Sequence, residues 1–230
     1  MIINYLKGGI GNQIFQHALA KSLSLRLNRE LFTEISYYQH DPYGFKSKIQ
    51  NIDPDIKFIN IRDIDKTGAY LLKEGQISKL NEIKHLPDSI KILILEGYWQ
   101  GEEYFDKKIA IDFIENIKKY STNLENNNEI ANKINTSDSP IALHIRRRDY
   151  GHMGLCKTSY YSAAIDFLKS LNSNSELFVF SDEPNYTRHL LESRNLSFTL
   201  IDTGDDSVDL YLMSRCKNFV ISNSPEFDTK

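Results

Sequence analysis

The second half of the chain alternates between short apolar runs and segments with helical spacing, and this alternation limits its possible folds more than any other feature. Strands are predicted at residues 141–145, 177–180, 198–201 and 219–221, and helices at residues 159–171, 185–193 and 208–213. Strands that alternate with helices of about ten residues are typical of parallel βαβ units, in which both faces of the sheet are covered. The sequence therefore predicts an α/β fold with parallel sheets.

The first half of the chain begins in a similar way. Residues 1–6 form an apolar run that predicts a strand, three glycines follow, and leucines then recur at helical spacing. A strand at 91–98 and a helix at about 103–118 are expected further on. The polar, Asn-rich segment 116–139 is typical of a linker or an exposed helix. We therefore expect two domains, residues 1–130 and residues 131–230.

The composition argues against several classes of protein. Among 230 residues, 28 basic and 31 acidic side chains give a formal net charge of −3, which offers no polybasic field for nucleic acid. No apolar run approaches the ~18 residues of a membrane-spanning helix, and no secretory signal pattern opens the chain. The histidines lack metal-ligand spacing, and Cys156 and Cys216 have no CxxC partner. We expect packed or inert thiols, no bound metal and no nucleic-acid partner.

The loop after the first predicted strand is a candidate anion site. Its sequence, residues 8–13, is GGIGNQ, and it opens directly into a helix. Gly9 and Gly11 allow close approach of the backbone, helix N–H groups favour an anion, and Asn12 adds a side-chain amide. The pattern is neither a Walker loop nor the strict G-x-G-x-x-G motif. A tight turn with a helix cap remains the alternative.

The segment His144–Tyr150, HIRRRDY, carries the strongest local signal. It directly follows a predicted strand, so alternation places His144 and Arg146 on one side and Arg147 on the other. Arginine presents a planar fork of donors that suits phosphate oxygens, and it keeps its charge. Asp149 would hold an arginine in place through a bidentate pair. A solvated salt-bridge cluster is the alternative interpretation.

Two further candidates also follow predicted strands. Asp182, within Ser181-Asp182-Glu183, would accept hydrogen bonds from a base edge or a ribose. A helix N-cap at Ser181 or Asp182 is the alternative. Asn223 and Ser224 follow the last predicted strand, and their short polar side chains suit phosphate, although such a dipeptide is also typical of a turn.

Taken together, these motifs resemble the α-1,2-fucosyltransferases of glycosyltransferase family 11. The stretches that carry the resemblance follow the order of the family and cover essentially the whole chain. They are residues 8–16 (GGIGNQIFQ), 97–100 (GYWQ), 104–105 (YF), 144–150 (HIRRRDY), 178–183 (FVFSDE), 209–216 (DLYLMSRC) and 223–224 (NS). The resemblance implies a GT-B-like enzyme with two Rossmann-like domains facing a cleft, the N-terminal domain on the acceptor side and the C-terminal domain binding GDP-fucose.

The resemblance also implies the reaction and the roles of individual residues. Fucose would pass with inversion from GDP-fucose to the 2-hydroxyl group of a galactose-containing glycan, without a metal. The implied catalytic residues are Arg146 at the diphosphate, Asp149 orienting it, and Asn12 at the phosphate or fucose. The implied donor-binding residues are His144 and Asp182 at the guanosine, with Arg147, Asn223, Ser224, Gly9 and Gly11. The family and the missing signal sequence imply a cytoplasmic location, with association at the inner membrane face left open.

The sequence departs from the family pattern in two places. Arg148 stands where a small residue is usual, and after Ser224 the chain reads PEFDTK instead of continuing with an aromatic stretch and helices. We therefore expect an incomplete C-terminal domain and impaired transfer. The alternatives are a non-catalytic GDP-sugar-binding remnant and a nucleotide-binding protein with unrelated chemistry.

Overall fold

The computed structural model of the chain contains two compact units. The described residues are 1–42, 44–122, 127–147 and 154–222, with the side chains of 127 and 128 left out. Unit 1 is Met1–Lys119 and unit 2 is Tyr120–Lys230. The expected domains, residues 1–130 and 131–230, stay a prediction.

Unit 1 is built on a parallel four-stranded sheet. Its elements are β1 (Ile2–Tyr5), α1 (Ile10–Leu27), β2 (Leu31–Glu34), β3 (Ala69–Lys73), β4 (Ile92–Glu96) and the greater part of α2 (Lys107–Thr122). The strand order is β2-β1-β4-β3, and every neighbouring pair is parallel. All four carboxyl ends therefore lie at the same edge of the sheet.

Apolar side chains cover both faces of the unit 1 sheet. On one face, Ile2 and Leu93 pack with Leu19 and Leu23 of α1. On the other face, Ile3 packs with the isoleucines at 92 and 94 and with a loop that supplies the isoleucines at 59, 61 and 64. Because both faces are buried, neither β1 nor β4 alternates between apolar and polar residues, although β1 contains the buried polar residue Asn4.

Unit 2 contains a second parallel sheet of four strands. Its elements, after the last residues of α2, are α3 (Asn127–Thr136), β5 (Ser139–Ile145), α4 (Thr158–Leu171), β6 (Ser175–Ser181), α5 (Pro184–Glu192), β7 (Phe198–Ile201), α6 (Asp206–Ser214) and β8 (Asn218–Ile221). The order is β7-β6-β5-β8 with parallel pairing throughout. The prediction of an α/β fold with parallel sheets is confirmed.

The differences from the predicted elements lie mainly in unit 1. The short strands β2 and β3 and several 3₁₀ helices were not predicted. The Asn-rich segment, predicted as linker or exposed helix, contains the last turns of α2 and the helix α3. Within the described residues, no helix combines the length and the apolar character that a bilayer crossing requires.

Candidate functional site

In unit 2, the loop after β5 lies at the point where the order of the strands changes direction. The chain passes from β5 to β6 and β7 on one side, whereas β8 pairs with the other side of β5. In open parallel sheets, ligands bind in the crevice outside the carboxyl ends of the strands at such a switch point. His144, near the end of β5, and Arg146, just after it, lie at this position.

The segment that begins with Arg146 and Arg147 after β5 is called the arginine loop below. Hydrogen bonds to Ser222 fix the backbone at its start. The N–H of Arg146 donates to Ser222 Oγ at 2.9 Å, and this hydroxyl donates to the carbonyl of His144 at 3.0 Å. Because a serine hydroxyl has one proton, Tyr161 must be the donor in its 2.9 Å contact with the same Oγ. Burial raises the pKa of Tyr161 to about 12, so its proton is available. Ser222 and Tyr161 were not predicted, because Ser222 reaches the loop through the pairing of β8 with β5 and Tyr161 reaches it from α4.

Arg147 joins the same loop to the start of α5. Its N–H donates to both carboxylate oxygens of Asp182, at 3.0 and 3.2 Å. Its Nε donates to Glu183 Oε2 at 3.1 Å, and its guanidinium carbon lies 3.8 Å from the centroid of the Tyr186 ring. Arg147 and Asp182 therefore hold each other in place.

The structure brings four of the predicted site residues together at one edge of the unit 2 sheet: Arg146, predicted as catalytic, and His144, Arg147 and Asp182, predicted as donor-binding. At the start of α5, Ser181 Oγ accepts the N–H of Glu183 at 3.0 Å. The N-cap of α5 is Glu183, whose side chain makes no capping hydrogen bond, so the alternative of an N-cap at Ser181 or Asp182 is wrong. Asp149, Asn223 and Ser224 lie outside the described residues.

The acidic segment at residues 202–209 forms a loop and the start of α6. Asp205 caps α6 by accepting the N–H of Ser207 at 2.9 Å, and Tyr120 donates to its other oxygen at 2.8 Å. Asp209 Oδ1 accepts a hydrogen bond from the hydroxyl of Thr203 at 2.6 Å. Burial raises the pKa of Asp209 to about 6 in spite of this bond.

In unit 1, the glycine loop is fastened by two buried glutamines. Gly8 has a φ of +78°, which favours glycine, and Gly9 precedes the first residue of α1. Gln13 donates to the carbonyls of Gly8 and Lys46 at 3.0 and 2.8 Å, and it accepts the N–H of Lys48 at 2.9 Å. Its side chain therefore connects the glycine loop to the segment at Lys46 and Lys48, the first of which is 33 residues further along the chain.

The second glutamine, Gln16, forms a reciprocal pair with the backbone of Lys7. The N–H of Lys7 donates to Gln16 Oε1 and the amide of Gln16 donates to the Lys7 carbonyl, both at 3.0 Å. Tyr38 donates its hydroxyl to Gly8 O at 3.0 Å. Burial raises the pKa of Tyr38, and Tyr37, Asp41 and Tyr98 nearby raise it further.

Asn12, which follows the glycine loop, forms a hydrogen bond with Gln100 of the loop after β4. Its Oδ1 accepts a hydrogen bond from Gln100 Nε2 at 2.5 Å, and its amide lies against Gly8. A side chain at Gly9 would contact the ring of Phe45, whereas a side chain at Gly11 would meet open space. The loops after β1 and β4 therefore meet at the predicted Asn12.

A buried ionic cluster holds the middle of α1. His17 Nε2 lies 2.9 Å from Asp53 Oδ2, and Lys21 donates to the same oxygen at 2.7 Å. Burial lowers the pKa of His17, which is fully buried, so the ring is neutral at pH 7. Burial alone would raise the pKa of Asp53, but the hydrogen bonds from His17 and Lys21 outweigh it and lower the pKa. Because the partners are 36 and 32 residues apart, no local signal predicts this cluster.

The side chains that could bind a metal ion and the two cysteine thiols were the remaining subject of the sequence predictions. In the part of the chain that the structure describes, no three His, Cys, Asp or Glu side chains are arranged to hold a metal ion. Cys216 is buried, and burial raises the pKa of its thiol to about 12. Cys156 is half-buried. Neither thiol forms a disulfide.

Comparison with known proteins shows which sequences the chain is similar to. The model of the family described as Glycosyl transferase family 11 matches residues 2–227. An alpha-1,2-colitosyltransferase of Escherichia coli is 28% identical over 97% of this chain and 84% of its own length. The O-antigen biosynthesis glycosyltransferase WbnK of Escherichia coli is 25% identical over 95% of this chain and 85% of its own length.

Solved structures show the same fold. The crystal structure of NodZ alpha-1,6-fucosyltransferase soaked with GDP-fucose matches with a TM-score of 0.56 and 13% identity, over 96% of this chain and 87% of that one. A structure of NodZ co-crystallised with GDP matches with a TM-score of 0.54 and 12% identity, over the same shares of both chains. At this identity the likeness concerns the fold, and it confirms the expected GT-B-like class.

Proposed function

The chain belongs to glycosyltransferase family 11, and from this premise we propose that it transfers L-fucose from GDP-fucose to the 2-hydroxyl group of a galactose-containing glycan. The acceptor oxygen would attack C1 of fucose from the side opposite the diphosphate. The bond from C1 to the phosphate oxygen would break, GDP would leave with the electron pair, and a base would take the hydroxyl proton. The β-linked donor thereby becomes an α-linked product.

The observation that carries this proposal is the arginine loop at the switch point of unit 2. Ser222 and Asp182 hold the backbone of Arg146 and Arg147 by hydrogen bonds, so the main chain of these two residues needs little reorganisation when a ligand binds. A fixed arginine fork next to a leaving diphosphate stabilises the charge that develops on it. We assign this task to Arg146, and Asp149 orients it.

The remaining roles follow the family resemblance. His144 and Asp182 would contact the guanosine, with Arg147 beside them, and Asn223 and Ser224 would contact the phosphates. Asn12, with the backbone at Gly9 and Gly11, would contact the phosphate or fucose. Because arginine supplies the positive charge, the reaction would need no metal ion.

The transferred sugar has a second candidate, colitose. A relative named as a colitosyltransferase is 28% identical over nearly the whole chain. Colitose is fucose without its 3-hydroxyl group, so the two donors differ by one polar contact. The relative named for O-antigen biosynthesis supports a role in bacterial surface-polysaccharide assembly.

The test is turnover of GDP-fucose and GDP-colitose, each with lactose as the acceptor and with excess EDTA in a parallel series. Formation of an α-1,2-fucoside that persists in EDTA supports the whole proposal. Transfer of colitose but not of fucose would identify colitose as the donor sugar. Loss of activity in EDTA, with rescue by magnesium or manganese, would contradict the role assigned to Arg146. GDP binding without any transfer would favour the non-catalytic remnant, and the absence of GDP binding by calorimetry would overturn the proposal.

A further inference from the structure

The hydroxyl group of Ser222 makes every hydrogen bond that it can make. It donates its one proton to the carbonyl of His144 at 3.0 Å, and it accepts the N–H of Arg146 and the hydroxyl of Tyr161, both at 2.9 Å. A serine hydroxyl has one donor position and two acceptor positions, so this set is complete. Ser222 therefore has no position left for a phosphate oxygen, and its effect on a ligand must pass through the groups that it holds.

The contact with Arg146 lies where the pairing of β5 with β8 ends. The last paired residues of these two strands are His144 and Ile221. Beyond this pair, Ser222 Oγ accepts the N–H of Arg146, so the next link between the two segments is made by a side chain. The direction in which the main chain leaves β5 therefore depends on one hydroxyl group.

Tyr161 holds this hydroxyl group from the first turn of α4. It is 3% exposed and belongs to the core cluster that also contains Ile145 of β5 and Val220 of β8. Because core side chains are close-packed, its phenol oxygen keeps its place beside Ser222 Oγ. Burial raises the pKa of Tyr161 to about 12, so the phenol keeps its proton at neutral pH. Tyr161 therefore donates to Ser222 and leaves the serine proton for the His144 carbonyl.

The neighbouring Tyr160 binds the same end of β8 at a different atom. Its hydroxyl donates to the carbonyl of Ile221 at 2.8 Å, and Tyr160 is exposed. Both tyrosines thus attach α4 to β8, whereas the bond of Tyr161 also reaches the atom that holds Arg146. The two residues therefore separate the attachment of α4 from the control of Arg146.

We propose that Tyr161 is a positioning residue for transfer, which acts through Ser222 to set where the main chain of Arg146 leaves the sheet and where its guanidinium group meets the diphosphate. The proposal rests on the proposed function, in which Arg146 stabilises the leaving GDP. Such stabilisation depends on donors that are already in place, so a small displacement of the arginine lowers the rate. Because the charge on the diphosphate grows in the transition state, the loss should appear in kcat more than in the KM for GDP-fucose.

The first experiment compares Tyr161→Phe with Tyr160→Phe in transfer from GDP-fucose to lactose by the full chain. Each variant loses one hydrogen bond at the end of β8, so we expect both to lower the melting temperature by a similar few degrees. Tyr161→Phe should also lower kcat about two- to fivefold with a nearly unchanged KM for GDP-fucose, whereas Tyr160→Phe should keep the kcat of the wild type. Equal kcat values in the two variants would overturn the proposal.

A double-mutant cycle tests whether the effect passes through Arg146. In an Arg146→Lys background, where the planar fork is already lost, Tyr161→Phe should lower kcat by less than about twofold. The full loss in that background would mean that Tyr161 acts by another route, which contradicts the proposal.

Two variants of Ser222 test the intermediate link. Ser222→Ala should lower kcat on the order of tenfold, because it leaves the Arg146 N–H without its partner. Ser222→Thr keeps a hydroxyl group and should retain most of the wild-type kcat. A Ser222→Ala defect confined to the KM for GDP-fucose would indicate direct contact with the donor and would overturn the proposal.

Hydrogen exchange of the Arg146 amide tests the same link even if transfer fails. Tyr161→Phe and Ser222→Ala should speed the exchange of this amide, and Tyr160→Phe should leave it unchanged. Unchanged exchange in Tyr161→Phe would overturn the proposal. Failure of the proposed function appears differently, as absence of GDP binding and of transfer by the wild type.

Discussion

The glycine loop of unit 1 and the arginine loop of unit 2 occupy the same place on similar parallel sheets, but they are fixed by different chemistry. In unit 1, the uncharged amides of Gln13 and Gln16 hold the loop, and both side chains are buried. In unit 2, the carboxylates of Asp182 and Glu183 hold Arg147, in part-buried surroundings. The first loop is fastened by neutral hydrogen bonds alone, whereas the second combines the neutral bonds of Ser222 with carboxylate contacts, one of them the ion pair between Arg147 and Glu183.

This difference predicts different responses to the solvent. A buried neutral amide does not titrate and is not screened by salt, so its contribution is almost independent of pH and ionic strength. Ion pairs that water can reach are weakened by salt, and carboxylates lose their charge in acid. We therefore expect the unit 1 loop to respond little to salt and pH and the unit 2 loop to respond to both.

The largest effect should come from giving the unit 1 loop a charge. In Gln13→Glu, an oxygen replaces the nitrogen that donates to two carbonyls, so a carboxylate would face two acceptors. Folding then raises the pKa of the new carboxyl group, and stability is lost as the pH rises through that pKa. We expect a decrease in the free energy of unfolding of about 3–5 kcal/mol at pH 8 and a smaller one at pH 5.

Urea denaturation at the two pH values measures this change. Gln50→Glu is the matched control, because Gln50 is exposed and donates only a long 3.4 Å bond to Ser47 O. If both variants lose the same small amount at both pH values, Gln13 does not fasten the loop as described.

The next effect concerns the charge that unit 2 presents to its ligand. Arg146→Lys keeps the charge but removes the planar fork, and we expect turnover of GDP-fucose to fall on the order of 100-fold, or about 2.7 kcal/mol. The melting temperature should change little. Arg194→Lys is the control, because Arg194, which follows α5, pairs with the exposed Asp166 of α4. Wild-type turnover in Arg146→Lys would refute the assigned role.

A third effect separates buried from exposed carboxylates in unit 2. Burial raises the pKa of Asp209 to about 6, above its ordinary value of 3.8, so the native state prefers the protonated form. The stability that this preference supplies is complete below pH 3.8 and is lost as the pH rises through about 6. Asp209→Asn, which can still accept the Thr203 hydrogen bond, should stabilise the protein by about 3 kcal/mol at pH 8.

The same variant should have the stability of the wild type at pH 4, which urea denaturation at both pH values will show. Asp166→Asn, at an exposed ion pair, serves as the control and should change stability little at either pH. A stabilisation by Asp209→Asn that is equal at pH 4 and pH 8 would contradict the pKa assignment.

The smallest effect is expected from the ion pair between Arg147 and Glu183, whose strength should depend on the salt concentration. Glu183 and Arg147 are 37% and 24% exposed, so Glu183→Gln should cost less than about 1 kcal/mol of stability. The KM for GDP-fucose should rise about two- to threefold at low salt, and the difference from wild type should vanish near 1 M salt because the pair is then screened. A defect that persists at high salt would mean that Glu183 acts through contacts other than this ion pair.

Much of unit 2 could be predicted from the sequence because its central strands, β5 and β6, are buried on both faces. Apolar runs such as Leu177–Phe180 carry a signal that does not depend on neighbouring strands. In contrast, β2 and β3 have four and five residues, and most of β3 is exposed, so no apolar run identifies them. Their strand conformation depends on pairing with β1 and β4.

In the candidate site, too, some residues could be predicted from the local sequence, whereas others depend on how the strands pair. Arg146 and Asp182 were predicted because polar residues after buried strands gather at one sheet edge. The partners that fix them follow from register: Ser222 is 76 residues from Arg146, and Gln100 is 88 residues from Asn12.

Helix α2 has a practical consequence for anyone who wishes to produce the two units separately. The boundary between the units falls inside this helix, between Lys119 and Tyr120. Asn116 donates to the Ile52 carbonyl in unit 1, whereas Tyr120 donates to Asp205, the N-cap of α6 in unit 2. A clean cut at the boundary would sever the helix and fray both ends. Fragments should therefore overlap, so that each one carries the last turns of α2 that it needs to fold.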